Sequence, residues 1–226
     1  MVTKKTSKLD PGLVAETALR LLNERGLEGL TLRAIAQELH VQAPALYWHF
    51  KNKQALLDEM ATVMYRRMVA DPAARPAAGQ SWQELMLTAN RGLRAGLLRY
   101  RDGAKVYSGA RFTGSDHAQD MERQLGALVD AGFSLREAVR ASTTAYMYTL
   151  GFVTEEQGTE DRPGELREGF DIEERARRLA AYPLAAAAGA EIFAGYDERF
   201  EEGLRLILAG IEAVYAPGAA SEAARA

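Results

Sequence analysis

The chain contains no cysteine. Disulfides and thiolate metal sites are therefore excluded, and a cytoplasmic location is the expectation that follows. No run of about 18 apolar residues occurs, so no membrane span is expected. The opening decapeptide, MVTKKTSKLD, carries lysines but no apolar stretch of the signal-peptide kind. Histidine is scarce: His40, His49 and His117 fall in three separate segments. Without cysteine, and with no nucleophile–base pair in view, the chain is not expected to be an enzyme.

What is present belongs to an ordinary globular protein. The 226 residues are 47% apolar and 26% charged, enough for one large domain or two that share an interface. The net charge of −3 conceals an asymmetry. Residues 1–57 hold eight Lys/Arg against five Asp/Glu, whereas the remainder holds twenty against twenty-six. A small basic segment on a large acidic body fits a nucleic-acid-binding head with a body that does something else.

The pattern is helical almost throughout, and the expected fold class is all-α. Asp10 and Pro11 open a first helix with Leu13, Val14, Ala18, Leu21 and Leu22 at helical spacing. Gly26 and Gly29 end it. Thr31 caps a second helix whose one face carries Leu32, Ile35, Ala36 and Leu39. After a turn at His40-Val41-Gln42, Pro44 starts a short third helix. Asn52 caps a fourth, from about 53 to 68. The Pro/Ala/Gly stretch at 71–80 reads as a linker. Helices are then expected over 81–99, 102–107, 116–131, 135–156, 172–193 (bent or split near Pro183) and 197–215. The polar stretch 157–170 reads as an exposed loop and 217–226 as a frayed tail. This divides the chain into a head at 1–55, a connecting helix at about 53–69, and a body at 70–226.

Three short helices with a tight turn between the second and third form a helix-turn-helix candidate. Ala36 allows a close helix crossing, and Val41 is expected to be a buried plug in the turn. QAPALYWHFKNK (42–53) sets Tyr47, Trp48 and His49 side by side, which a single buried stripe cannot absorb. Leu46 and one aromatic are expected to pack inward. The other rings, with Lys51, Lys53 and the amides that open the fourth helix, suit a phosphate backbone.

The segment LTLRAIAQELHVQAPALYWHFKNKQALLD (30–58) resembles the DNA-binding head of the tetracycline repressor (TetR) family. The body is similar to that of the tetracycline repressors through QSWQEL, LLRYRDGAKV, QLGALVDAGFSLREA, YTLGFVTEEQ and FEEGLRLILAGIEA, so the likeness spans most of residues 10–214. It implies a homodimeric repressor that binds a palindromic double-stranded operator and responds to a small-molecule inducer. Helices 135–156 and 197–215 would form the dimer interface. The DNA-binding residues it implies, joined to the reading above, are Thr31, Leu32, Arg33, Gln42, Ala43, Pro44, Ala45, Leu46, Tyr47, Trp48, His49 and Lys53.

Departures from the family pattern shift the expectation. Ala43, Ala45 and Leu32 replace polar residues that touch DNA, so the docking pose is expected to persist on a different operator. His40 stands where the turn usually has Gly, and a left-handed backbone is expected there. In the ligand site Tyr107 replaces the histidine that holds magnesium. Val69, Leu93 and Ala89 replace a second histidine, a ring-contacting Phe and a ligand-gripping Asn; Asn90 is adjacent. A phenol is a poor magnesium ligand. Gln124, Arg111 and Glu155 remain. The expected inducer is therefore mainly apolar and aromatic, with no metal and no cofactor. Its expected contacts are Leu93, Tyr107, Arg111, Gln124, Met147, Tyr148 and Glu155, with Trp82 beside them. The connecting helix would carry the signal by a shift between two head spacings, and the segment from Arg99 to Phe112 would rearrange around Tyr107. The alternative is a DNA-binding regulator or scaffold without an inducer.

Overall fold

The computed structural model describes residues 9–72, 79–162 and 165–215; most of the 71–80 linker and the 217–226 tail lie outside them. Eleven helices account for most of the described residues. The head comprises α1 (Pro11–Gly29), α2 (Leu32–Glu38) and α3 (Ala43–Tyr47), followed by α4 (Lys53–Ala70). The rest contains α5 (Trp82–Leu98), α6 (Gly103–Tyr107), α7 (His117–Asp130), α8 (Leu135–Thr159), α9 (Ile172–Arg178), α10 (Pro183–Ile192) and α11 (Tyr196–Tyr215).

Local chemistry sets these boundaries. The carboxylate of Asp10 accepts the Leu13 N–H, the Thr31 hydroxyl accepts that of Ala34, and Asn52 accepts that of Ala55 at 2.9 Å, each satisfying an orphan donor. α1 breaks at Gly26, whose φ of 70° only glycine adopts without strain. His40, with φ 54°, makes the left-handed turn between α2 and α3, and the Val41 N–H closes that turn on the Ala36 carbonyl at 2.9 Å. Val41 is half-buried, so it leans on the head core and does not plug it. Ala36 is buried at the crossing, as its small side chain requires.

Two apolar clusters hold the molecule together. One joins α1, α3 and α4 to α6 and the middle of α8, through Leu19, Leu22, Leu46, Leu56, Met60, Met64, Tyr107 and Val153. Head and body therefore share packing along α4. The second joins α5, α7, α8 and α11 through Met86, Leu128, Phe133, Ala141, Phe200 and Leu204.

The structure departs from the expected loop at 157–170. α8 continues to Thr159, and a two-stranded antiparallel hairpin follows, β1 (Glu160–Arg162) with β2 (Glu165–Leu166). The reason lies in Gln157, a buried polar residue. Its side chain accepts the Ala104 N–H at 3.0 Å and donates to the Tyr100 carbonyl at 2.7 Å, tying α8 to the end of α5 and to α6. The 172–193 segment is split, α9 and α10 being separated ahead of Pro183.

Candidate functional site

The first candidate surface is the outer face of α3. Leu46 is fully buried, and the ring that packs inward is Phe50. Tyr47, Trp48 and His49 all point outward, Tyr47 being 56% and Trp48 89% exposed. The expectation that one of them would pack against α1 is thus corrected. Phe50 follows Leu46 by four residues and takes the inward position, its N–H bonded to the Leu46 carbonyl at 2.9 Å. Gln42 precedes α3 without capping it, and Pro44 is exposed. Thr31 and Arg33 are exposed, whereas Leu32, Ala43 and Ala45 are half-buried, the first two against the head core. Lys51 and Lys53 are exposed beside the start of α4, and the Lys53 ammonium donates to the Leu27 carbonyl at 3.2 Å. A cation, a helix N-terminus and unburied rings thus share one edge, an arrangement suited to a phosphate backbone.

The second candidate region lies around Tyr107, which is only 5% exposed. Its ring meets Phe112 edge-on at 5.5 Å; Phe112 lies 5.0 Å from Tyr65 and 5.2 Å from His117. Leu93 and Tyr146 are half-buried against the larger apolar core to which Tyr107 belongs. Burial, with Tyr146 and Tyr65 nearby, pushes the Tyr107 phenol well above its ordinary range. Among the described residues no group of three His, Cys, Asp or Glu side chains is placed to hold a metal ion.

The seven expected ligand contacts fall in several surroundings. Tyr107 is part of the larger apolar core, and Leu93 is half-buried against that core. Gln124 is half-buried on α7, and the Arg111 side chain is exposed while its N–H donates to Asp58 at 3.0 Å. Tyr148 and Glu155 line a different cavity, of about 200 Å³, together with Phe152, Phe193, Tyr196 and Arg199. The Tyr148 hydroxyl donates to the Phe200 carbonyl at 3.1 Å. Met147 is 67% exposed on the outer side of α8. Trp82 packs edge-on against Phe133 at 5.1 Å, and Val69 is exposed. Asn90 is spent internally, accepting the Thr149 hydroxyl and donating to the Met86 carbonyl, both at 2.8 Å. Successive α8 residues diverge because each step along a helix turns by about 100°.

Sequence reasoning missed Tyr65, Tyr146 and His117 as members of the cluster, and it read Phe112 only as the end of a segment. Tyr65 lies just off the apolar stripe of α4, and Phe112 sits between helices, where no periodicity marks it. Head and body are also joined by polar contacts. The Asp102 carboxylate accepts the Leu27 N–H at 3.0 Å and the Lys105 ammonium at 2.9 Å. An open groove of about 450 Å³ lies beside this junction, lined by Glu16, Arg20, Asn23, Arg67 and Tyr100. Its cations are already paired, Arg67 with Glu16 and the Tyr100 hydroxyl, Arg20 with Glu24 and Glu38.

Comparison with known proteins bears on both regions. Residues 14–60 match the model for bacterial regulatory proteins of the tetR family, and residues 75–215 match the tetracyclin repressor-like C-terminal domain. The chain is 40% identical over 205 residues to the tetracycline repressor protein class A from transposon 1721 of Escherichia coli, covering 91% of each. It resembles the crystal structure of a possible TetR family transcriptional regulator from Streptomyces coelicolor A3(2), with TM-score 0.76 and 38% identity, over 91% of this chain and all of that one. It also resembles BioQ of Mycobacterium smegmatis, solved with its double-stranded DNA operator, with TM-score 0.63, 29% identity and coverage of 91% and 99%.

Proposed function

This chain belongs to the tetracycline repressor family of DNA-binding transcriptional regulators, and on that premise we propose that it represses transcription as a homodimer on a palindromic operator. A small, mainly apolar and aromatic inducer that needs no magnesium releases it. The observation that carries the DNA reading is the α3 edge: Leu46 and Phe50 anchor the helix inward, so Tyr47, Trp48 and His49 stand free beside Lys53. The head at 1–55 docks on DNA through Thr31, Leu32, Arg33, Gln42, Ala43, Pro44, Ala45 and this edge. The body at 70–226 binds the inducer and the second subunit, with no catalysis, and the protein works in the cytoplasm. BioQ, solved on its operator, supports the DNA reading.

The dimer face is the outer side of α8 and α11. Val139, Thr143, Met147 and Gly151 follow one another at four-residue steps on α8, as do Leu206, Gly210 and Val214 on α11, all exposed. A Cβ at Gly151 or Gly210 would meet nothing within 4 Å, so a second pair of helices has room to approach closely. Large exposed apolar stripes of this kind mark interaction surfaces. Met147 therefore serves the dimer face in this reading and not the inducer. α4 runs unbroken from the α3 edge to the Tyr107 cluster, and an inducer that binds one head spacing better shifts the population toward it.

In vitro selection from random duplex DNA, followed by a thermal-shift screen with planar aromatic compounds and a competition assay, tests this. The expected result is an enriched inverted repeat, bound by a dimer and released by at least one compound. Failure to enrich any repeat would sink the DNA reading. A repeat that no stabilising compound releases would leave a regulator without an inducer.

A further inference from the structure

Near the end of α8, the turn between α10 and α11 closes off the cavity of about 200 Å³. Gly195, at φ 62°, makes that turn and brings Phe193 and Tyr196 to the same walls as Tyr148 and Phe152 of α8. Tyr148 and Phe152 pack on the second apolar cluster, both against Phe200, whereas Tyr107 belongs to the first. The cavity is therefore separate from the Tyr107 region. An apolar cavity of about 150 Å³ is enough to hold a benzene ring.

Two charged side chains line it. The Arg199 guanidinium lies over the Phe152 and Tyr196 rings, 5.6 and 5.2 Å from their centres, and donates to the Ile192 carbonyl. It is half-buried and forms no ion pair among the described residues, so its other N–H donors stay open. Glu155 is exposed, and its carboxylate is likewise unpaired among the described residues. The remaining polar groups of the walls are spent. The Tyr148 hydroxyl donates to the Phe200 carbonyl, and the Thr159 hydroxyl to the Glu155 carbonyl, both at 3.1 Å. A guanidinium held against aromatic faces presents a planar fork that matches a carboxylate.

We propose that this cavity is a second small-molecule site, for a small aromatic acid that carries a hydroxyl. Its ring lies against Phe152, Phe193 and Tyr196, its carboxylate accepts from Arg199, and its hydroxyl donates to Glu155. A ring with only one of these groups leaves either the cation or the carboxylate unpartnered. An aromatic cation is disfavoured, because Arg199 already holds the positive charge over the rings. The bound acid ties α8 to the α10–α11 turn, so it stabilises the body independently of Tyr107 and of DNA.

The test uses the full chain with 4-hydroxybenzoate, benzoate and the neutral 4-hydroxybenzamide, and reads dissociation constants by ligand-observed NMR. 4-Hydroxybenzoate should bind saturably and most tightly of the three. Arg199→Gln should weaken it about tenfold or more, the effect of losing a charge-assisted hydrogen bond, and should erase its preference over the amide. Glu155→Ala should erase its preference over benzoate. Tyr107→Phe should leave all three constants unchanged. If Arg199→Gln does not fold, Arg199→Lys keeps the charge but not the fork, and it too should lose affinity. Absence of saturable binding, or a preference that survives its substitution, would overturn the proposal. So would binding lost in Tyr107→Phe, which moves the acid to the Tyr107 cluster. Binding by Leu206→Glu alone, and not by wild type, would also overturn it, the cavity then being covered by a second copy. None of these measurements involves operator release, so this site can fail while the repressor reading stands, and the reverse.

Discussion

Arg94 and Glu156 form a bidentate ion pair, at 2.6 and 2.9 Å, where α5, α8 and α11 meet. Glu156 is almost wholly buried, and the guanidinium also lies 5.1 Å from the centre of the Phe200 ring. Burial opposes the charge on Arg94, but its hydrogen bonds to Glu156 and Asp197 outweigh that and raise its pKa. Removing one partner leaves the other as an unpaired buried charge. Arg94→Ala should therefore cost about 3–5 kcal/mol in urea unfolding. Asp197→Asn, whose carboxylate is 94% exposed, should stay within about 0.5 kcal/mol. Equal effects of the two would refute this partition.

Asp102 gives the chain an acid-sensitive joint between head and body. Burial raises its pKa, but Lys105 and the Leu27 N–H lower it more, so the net shift is downward. A carboxylate with a depressed folded-state pKa stabilises the fold above its unfolded value, near 4, and loses that contribution as pH falls through the folded one. Wild-type stability should therefore drop below about pH 4 more steeply than that of Asp102→Asn, whose amide oxygen can still accept the Leu27 N–H. Parallel acid limbs in denaturation at a series of pH values would show that Asp102 is not the group responsible.

For DNA, Lys53→Ala should weaken binding to every sequence alike and lower the slope of log affinity against log salt by about 1. Tyr47→Ala should weaken binding without that change in slope. Trp48 is 89% exposed, so Trp48→Ala should leave thermal stability unchanged, and Trp48 emission should respond to operator where Trp82, half-buried against Phe133, does not. Undiminished binding by Lys53→Ala and Tyr47→Ala together would remove α3 from the interface.

At the dimer face, Met147→Lys and Leu206→Glu each place a charge on an exposed apolar stripe, which a monomer tolerates and an interface does not. Sedimentation velocity should show a dimer for wild type and a monomer, or a strongly concentration-dependent mixture, for each variant. A variant that stays dimeric at micromolar concentration would move the interface elsewhere.

Much of the head was legible in the residue order. Caps at Asp10, Thr31 and Asn52, the proline at 44 and the left-handed turn at His40 all act within four residues of their partners, and the apolar stripes reveal which faces turn inward. Phe50 was less legible: Tyr47, Trp48 and Phe50 are all aromatic, and only the packing of Leu46 and Phe50 into the shared apolar core selects the last. The body was legible in its helices and its family likeness, but Tyr148 and Glu155 part company with Tyr107 because helical rotation aims them at another cavity. Gln157 anchors the end of α8 to atoms more than fifty residues away, a tie that no local pattern marks.

By itself, then, the sequence determined most of the helices and the basic head, both properties of residue identity and short-range spacing. Tertiary structure alone decided that Phe112 would fill the space between Tyr65 and Tyr107, that Arg94 would meet Glu156, and that Met147 would face outward. Such contacts join segments far apart in the chain. Their energies come from burial and close packing in three dimensions, which no local pattern encodes.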